Sequence, residues 1–340
     1  MQSFSPIKVS EEFLSTLPKR VRDVIERRFG IGKAKDRKTL EAIGTSYGIT
    51  RERVRQIEAY GLKKLNANNA IKEKKDVFDA LKSELLRRGG IAEEEKFLSS
   101  LAKSQEEKNN IRFLLTLAED FKRIKEDEEF SGRWSADEKL ASACHETLHI
   151  LHKDLEGKDP MEDAEIKAKL ASIAETSFNQ NLGPDALESW LSVSKRVAKN
   201  KLGGWGLIDS PHISPRGVRD LAFLVMKQHG SPMHFSEVTQ AIKKNLSEPA
   251  HLQTVHNELI KDNRFILVGR GLYALREWGY ESGTVKDVIK NILASSGPLP
   301  KEKVIEKVLK ERHVKTATIL INLQDKRNFK SLEDGSITLV

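Results

Sequence analysis

The chain of 340 residues holds a single cysteine, Cys144, so no internal disulfide can staple the fold, and this usage fits a reducing cytoplasm. It lacks any apolar run approaching the roughly 18 residues that a membrane-crossing helix requires. Its opening stretch MQSFSPIKVSEEF lacks the basic-then-apolar pattern of a secretory leader. Neither a membrane partner nor export is therefore expected. A Walker sequence, a nucleophile elbow and a paired-carboxylate arrangement are missing too, so neither an enzyme nor a cofactor is expected. What is present is charge and length: 38% hydrophobic and 32% charged residues describe a globular, water-compatible chain, long enough for two or more domains.

The charge is unevenly placed. Residues 1 to 75 carry 18 Lys/Arg against 9 Asp/Glu, a net +9, whereas everything after them balances to −1. A basic footprint of this kind suits phosphate binding. The same segment contains TLEAIGTSYGITRERVRQIEAYGLKKL, Thr39 to Leu65, whose pattern predicts two short helices around a turn. Leu40 and Ile43 face inward on the first, Tyr47-Gly48-Ile49 turns, and Thr50 stands at the N-cap of the second. Val54, Ile57, Gly61 and Leu65 face inward there, which leaves Arg51, Glu52, Arg55 and Gln56 outward near the helix N-terminus. In a helix-turn-helix that end enters the DNA major groove, where Arg, Gln and Glu side chains match base edges. The plainer reading is a solvated face on an amphipathic helix. Upstream, Val21, Val24, Ile25 and Phe29 predict a supporting helix ended by Gly30, with Arg20 on its outer face. The loop after it adds Lys35 and Arg37 as further phosphate contacts. Residues 66 to 76 read as a linker or a fraying helix end.

LPKRVRDVIERRFGIG followed by the TRERVRQIE core at Thr50 to Glu58 resembles region 4 of the sigma-70 family of bacterial RNA polymerase sigma factors. The resemblance covers about the first fifth of the chain. It implies a domain that reads a promoter −35 element in double-stranded DNA and docks on the flap of the RNA polymerase core. It also implies base-reading or groove-facing roles for Arg51, Glu52, Arg55 and Gln56, and backbone-contacting roles for Arg20, Thr39 and Leu40; Arg53 is grouped with the latter. Tyr60-Gly61 departs from the family's usual Lys-Ala, and nothing in the chain resembles region 2, the part that melts promoter DNA.

Beyond residue 76 the chain repeats. Thr254 to Arg276 aligns without a gap on Thr318 to Val340 at an offset of 64, placing Phe265 on Phe329, Gly271 on Gly335 and Leu275 on Leu339. An offset of 68 places Leu191 on Leu259 and Trp205 on Tyr273, and an offset of 144 places Phe121 on Phe265 and Trp134 on Trp278. Such periodicity predicts small autonomous units, each with helices and a β-hairpin wing. LAFLVMKQHGSPMHFSEVTQAI, with LIKDNRFILVGRGLYALREWG, resembles the HARE-HTH winged helix, found in the polymerase delta subunit and in chromatin and restriction proteins. The expected architecture is mainly α: a helix-turn-helix at 1–75, winged-helix-like repeats at 76–136 and 137–214, a HARE-HTH winged helix at 215–280 and a degenerate copy at 281–340.

One segment invites a different chemistry. CHETLHILH, Cys144 to His152, contains His145, Glu146 and His149 at the spacing of a zinc protease helix. The apolar stripe Leu140, Cys144, Leu148, Leu151 and Leu155 explains it equally as an amphipathic helix, so no metal is expected there. The sequence therefore points to a cytoplasmic, nucleoid-associated bacterial transcription-initiation factor of the sigma type. The alternative is a delta-like polymerase-associated protein whose first domain docks without reading DNA.

Overall fold

The computed structural model describes residues 4–34, 36–67, 70–281 and 283–340. These gather into two compact units, Met1–Ala198 and Lys199–Val340. Both are mainly helical with small antiparallel sheets, and among the described residues no helix is long and apolar enough to cross a membrane.

The first unit begins with α1 (Pro6–Ser15), capped by the Ser5 hydroxyl and started by proline at its first position, where a missing N–H costs nothing. Helix α2 (Lys19–Phe29) follows Pro18 and ends at Gly30. Then come α3 (Leu40–Tyr47), α4 (Arg51–Ala67), α5 (Ala70–Glu73) and α6 (Lys75–Arg87). The segment expected to be a linker is thus mostly helical: Ile71 packs on the core and Lys74 pairs with Glu12 at 2.7 Å. A polar composition concealed the one apolar side chain that anchors it.

Next follow β1 (Ile91–Glu93), α7 (Glu94–Leu101), α8 (Gln105–Leu117), β2 (Lys122–Ile124) and β3 (Arg133–Ser135), with β3 central in the sheet. This is a winged-helix order of elements, and it shares its interior with the helices before it. Phe13, Ile25, Phe29 and Leu65 lie in one apolar cluster with Phe78, Leu81, Leu85, Phe113 and Leu114. The rings of Phe29 and Phe113 meet edge-on at 5.3 Å, and Asn109 Nδ2 donates to the Gly30 carbonyl at 3.0 Å.

Three helices complete the unit: α9 (Glu138–Leu155), α10 (Asp163–Phe178) and α11 (Pro184–Val193). Among the described residues no strand separates α9 from α10, unlike the other repeats. Helix α11 closes over β1, with Ser189 Oγ donating to the Ile91 carbonyl at 2.8 Å and Trp190 Nε1 to the Gly89 carbonyl at 3.1 Å. Short strands β4 (Val197–Lys199) and β5 (Trp205–Leu207) follow. The division between compact units falls inside β4, within the 137–214 segment rather than at one of its ends.

The second unit holds two winged-helix arrangements. One comprises α12 (Val218–His229), β6 (Met233–His234), α13 (Phe235–Asn245), α14 (Leu252–Lys261), β7 (Phe265–Gly269) and β8 (Leu272–Leu275); the other α15 (Val285–Ser296), β9 (Leu299–Pro300), α16 (Lys301–Glu311), α17 (Thr316–Leu323), β10 (Phe329–Ser331) and β11 (Ser336–Leu339). In each sheet the last strand is central. Phe265 pairs with Leu275 and Phe329 with Leu339, so the 64-residue offset is also a register of hydrogen bonding. The two are tied edge to edge: His313 N donates to the Val268 carbonyl at 2.8 Å, and buried Arg312 donates to the carbonyls of Glu281 and Gly283.

The 144 offset does not survive in the sheet. Trp134 lies within β3, whereas Trp278 lies beyond β8 in a 3-10 turn, because the loop from β2 to β3 spans residues 125–132 while β7 and β8 are joined by a tight turn. Charge also divides anew along the fold. Residues 76–198 hold 18 Lys/Arg against 26 Asp/Glu, and residues 199–340 hold 22 against 15. The near-neutral remainder seen in sequence is a cancellation of −8 and +7.

Candidate nucleic-acid interface

The turn between α3 and α4 is built by three local devices. Thr39 Oγ1 accepts from Ala42 N at 3.1 Å and Thr50 Oγ1 from Arg53 N at 3.2 Å, so each helix has a hydroxyl cap for a free backbone N–H. Gly48 ends α3 at φ 65°. Gly44 lets the chain fold back tightly, since a Cβ there would stand 2.7 Å from the Ile49 carbonyl oxygen. Behind the turn Val24, Ile43 and Val54 form a small core with Leu40, Tyr47, Ile49 and Ile57. Gly61 brings α4 against α2, where a Cβ would meet Ile25 Cδ1 at 2.6 Å.

This packing turns one face of α4 to solvent. Arg51, Glu52, Arg53, Arg55 and Gln56 are all exposed. They are also pre-paired: Arg55 grips Glu52 through Nε and Nη2 at 2.9 and 2.7 Å, and Arg53 donates to Gln56 Oε1 at 3.0 Å. The hydrogen bond from Arg55 lowers the Glu52 pKa, and the same bond raises that of Arg55. Both side chains remain charged at neutral pH, on a surface where such a pair is worth little and exchanges readily for another partner.

The flanking groups differ in how free they are. Arg20 is exposed, with its guanidinium 5.4 Å from the Tyr47 ring centroid. Tyr47 donates its hydroxyl to Asp23, which also pairs with Arg27 at 2.8 Å; burial and then that hydrogen bond raise the tyrosine pKa. Arg22 is occupied by buried Glu26, and Arg28 by Glu58 and the Lys38 carbonyl. Burial, followed by the like charge of Arg112, lowers the pKa of Arg37, a strain that a bound anion would relieve. Exposed Thr39 and half-buried Leu40 open α3 beside it. Lys35 lies outside the described residues.

The histidine segment is arranged otherwise than its spacing suggested. His145 Nε2 accepts from Arg133 Nε at 2.8 Å, and its ring stacks on Phe130 at 4.6 Å, while Glu146 is exposed. Burial and then Arg133 push the His145 pKa down to about 4. His145 and His149 are therefore not a matched pair of free ligands. His149 instead faces Glu129, with Nδ1 3.4 Å from a carboxylate oxygen. Glu129, His149 and His152 bring ligand atoms within 4.8 Å of one another. The i, i+3 spacing of the two histidines was visible in sequence; Glu129, from the loop before β3, was not. Cys144 is buried, and burial raises its thiol pKa well above the usual value.

A capped helix-turn-helix with an outward polar face, followed by winged helices, is a class of fold shared by many DNA-binding proteins. Comparison with known families narrows it. Residues 13–67 match the model of sigma-70, region 4, and residues 217–278 match that of HARE-HTH, the HTH domain of ASXL and restriction endonuclease proteins. The chain is 50% identical over 66 residues to RNA polymerase sigma factor SigA1 of Synechococcus elongatus, a match covering 18% of this chain and 16% of that protein. It is 44% identical over 69 residues to sigma factor SigA of Listeria monocytogenes, covering 20% and 18% respectively. The chain thus spans about a sixth of the length of the curated relatives it matches. Residues 13–67 form a sigma-like DNA-binding domain, and 217–278 a HARE-type winged helix.

Proposed function

We propose that this protein is a transcription factor of the sigma type, which reads a −35-like promoter element through α4 and engages RNA polymerase through its remaining surfaces; we assign it no enzymatic role. The observation that carries this reading is the exposed, side-chain-paired set Arg51, Glu52, Arg55 and Gln56 on the N-terminal half of α4. Arg55 and Gln56 read bases, the former suited to guanine and the latter to adenine. Arg20, Arg37, Thr39, Leu40 and Arg53 position the domain on the sugar-phosphate backbone. Docking on the polymerase flap belongs to the same reading, supported by the sigma-like segment.

Selection of binding sites from random duplex DNA tests this reading. The full chain should enrich one motif, and Arg55→Ala should lower affinity for it by about 1–3 kcal/mol and relax one base position. An unchanged motif in the variant removes Arg55 from base reading. Polymerase capture without any enriched motif would favour docking alone.

A further inference from the structure

We propose that Glu129, His149 and His152 form a binding site for one divalent transition-metal ion of the zinc class, clamping the loop before β3 onto α9. The two histidines stand three residues apart on α9, so their rings share a face of the helix. The carboxylate reaches them from the 125–132 loop. Their ligand atoms lie within 4.8 Å of one another, against roughly 3.4 Å between ligands on a tetrahedral zinc, so modest side-chain rotations complete the set. One edge is already at that spacing, with His149 Nδ1 3.4 Å from Glu129 Oε2.

The outer contacts suit the same purpose. His152 is 1% exposed; its Nε2 lies 2.8 Å from Ser194 Oγ, and its Nδ1 is buried without a hydrogen-bond partner. A buried imidazole with one nitrogen held by an oxygen and the other unsatisfied is arranged as metal-bound histidines usually are. Glu129 is oriented likewise, with Oε1 held by Arg196 at 3.2 Å and Oε2 turned to His149. His145 belongs to no part of this set, because Arg133 occupies its Nε2. Two imidazoles and one carboxylate favour zinc, cobalt, nickel or copper over calcium and magnesium, which take oxygen ligands. Three protein ligands leave a fourth position for water. The loop is already docked through Ser131 N to the Val193 carbonyl at 2.9 Å and Lys195 N to the Glu129 carbonyl at 2.8 Å; the ion would lock that closure.

The test uses the untagged full chain, stripped of metal and titrated with Co2+. One equivalent should give the visible bands of a tetrahedral or five-coordinate site and be displaced by Zn2+, and excess Zn2+ should raise the first unit's melting temperature by about 5 °C. His149→Ala and Glu129→Gln, both at half-exposed positions, should keep the circular dichroism of the parent and lose the bands. Glu146→Gln should keep them. Absence of Co2+ bands in the parent, their persistence in both ligand variants, or only weak multi-site uptake would overturn the proposal.

Discussion

In the helix-turn-helix, α4 turns Arg51, Glu52, Arg55 and Gln56 to solvent. In the winged helices of residues 199–340, the helices leading into the wings, α14 and α17, turn out Ile260 and Ile321, which are 63% and 68% exposed. Helix α17 carries no charged residue at all. Each of these helices is held by the same means, apolar side chains at helical spacing over a small core. The scaffold therefore fixes where an outward face lies and leaves its chemistry open. Charged, donor-rich faces suit bases and phosphates, whereas exposed aliphatic ones suit a protein surface. The second difference is independence. The helix-turn-helix shares its core with the winged helix after it, while residues 199–340 are a compact unit by themselves.

The sharpest way to break this comparison is truncation. A fragment of residues 1–75 would expose Phe13, Phe29 and Leu65, all buried against residues 77–134 in the whole chain. It should show no cooperative thermal unfolding by circular dichroism, whereas fragments 1–198 and 199–340 should each melt cooperatively. A cooperative 1–75 fragment would make the shared core incidental.

A smaller effect probes the buried charge beneath the same junction. Arg112 donates to Glu94 at 2.8 Å, and both are almost fully buried. Removing one partner of such a pair costs about 3–5 kcal/mol, so Arg112→Met should destabilise fragment 1–198 by that order in urea melts. Burial alone would raise the Glu94 pKa, but hydrogen bonds from Arg123 and Arg112 bring it below the ordinary value. A depressed carboxylate stabilises the fold above its unfolded pKa of about 4.3 and loses that contribution as pH falls through the folded value. The parent's advantage over Arg112→Met should accordingly shrink below about pH 4.

DNA binding by the two units sharpens the contrast in charge. Each phosphate neutralised adds about 0.9 to the slope of log K against log salt. The +7 balance of residues 199–340 should give salt-steep binding that is indifferent to sequence, while fragment 1–198 should retain the preferred motif. Equal sequence preference in both, measured by competition, would sink the distinction. The smallest effect concerns the turn: Thr50→Ala removes the cap on α4 and should cost about 1 kcal/mol in stability, read by a lower urea midpoint of fragment 1–198.

Much of the interface was legible because its signals are local. The cap at Thr50, the turn at Gly48 and the inward spacing of Val54 and Leu65 each depend on neighbours within a few residues, and α4 forms where they predict. The repeat at offset 64 was equally legible, since strand register follows the alternation of side chains. Three things lay beyond such reading. The helical segment from Ala70 hid behind one apolar residue in a polar stretch, the charge of residues 76–340 cancelled in the sum, and the 144 offset failed at a loop whose length periodicity does not report.

The amino-acid sequence by itself thus determined the helix-turn-helix, its outward polar face and the paired winged helices, because capping, helical period and strand alternation act over short distances along the chain. Only the tertiary structure decided that the helix-turn-helix is welded to its neighbour through Phe29 and Phe113, that Arg133 takes His145, and that Glu129 comes to His149 and His152. These contacts join residues far apart in the chain, and close packing in three dimensions, which no local pattern encodes, selects among them.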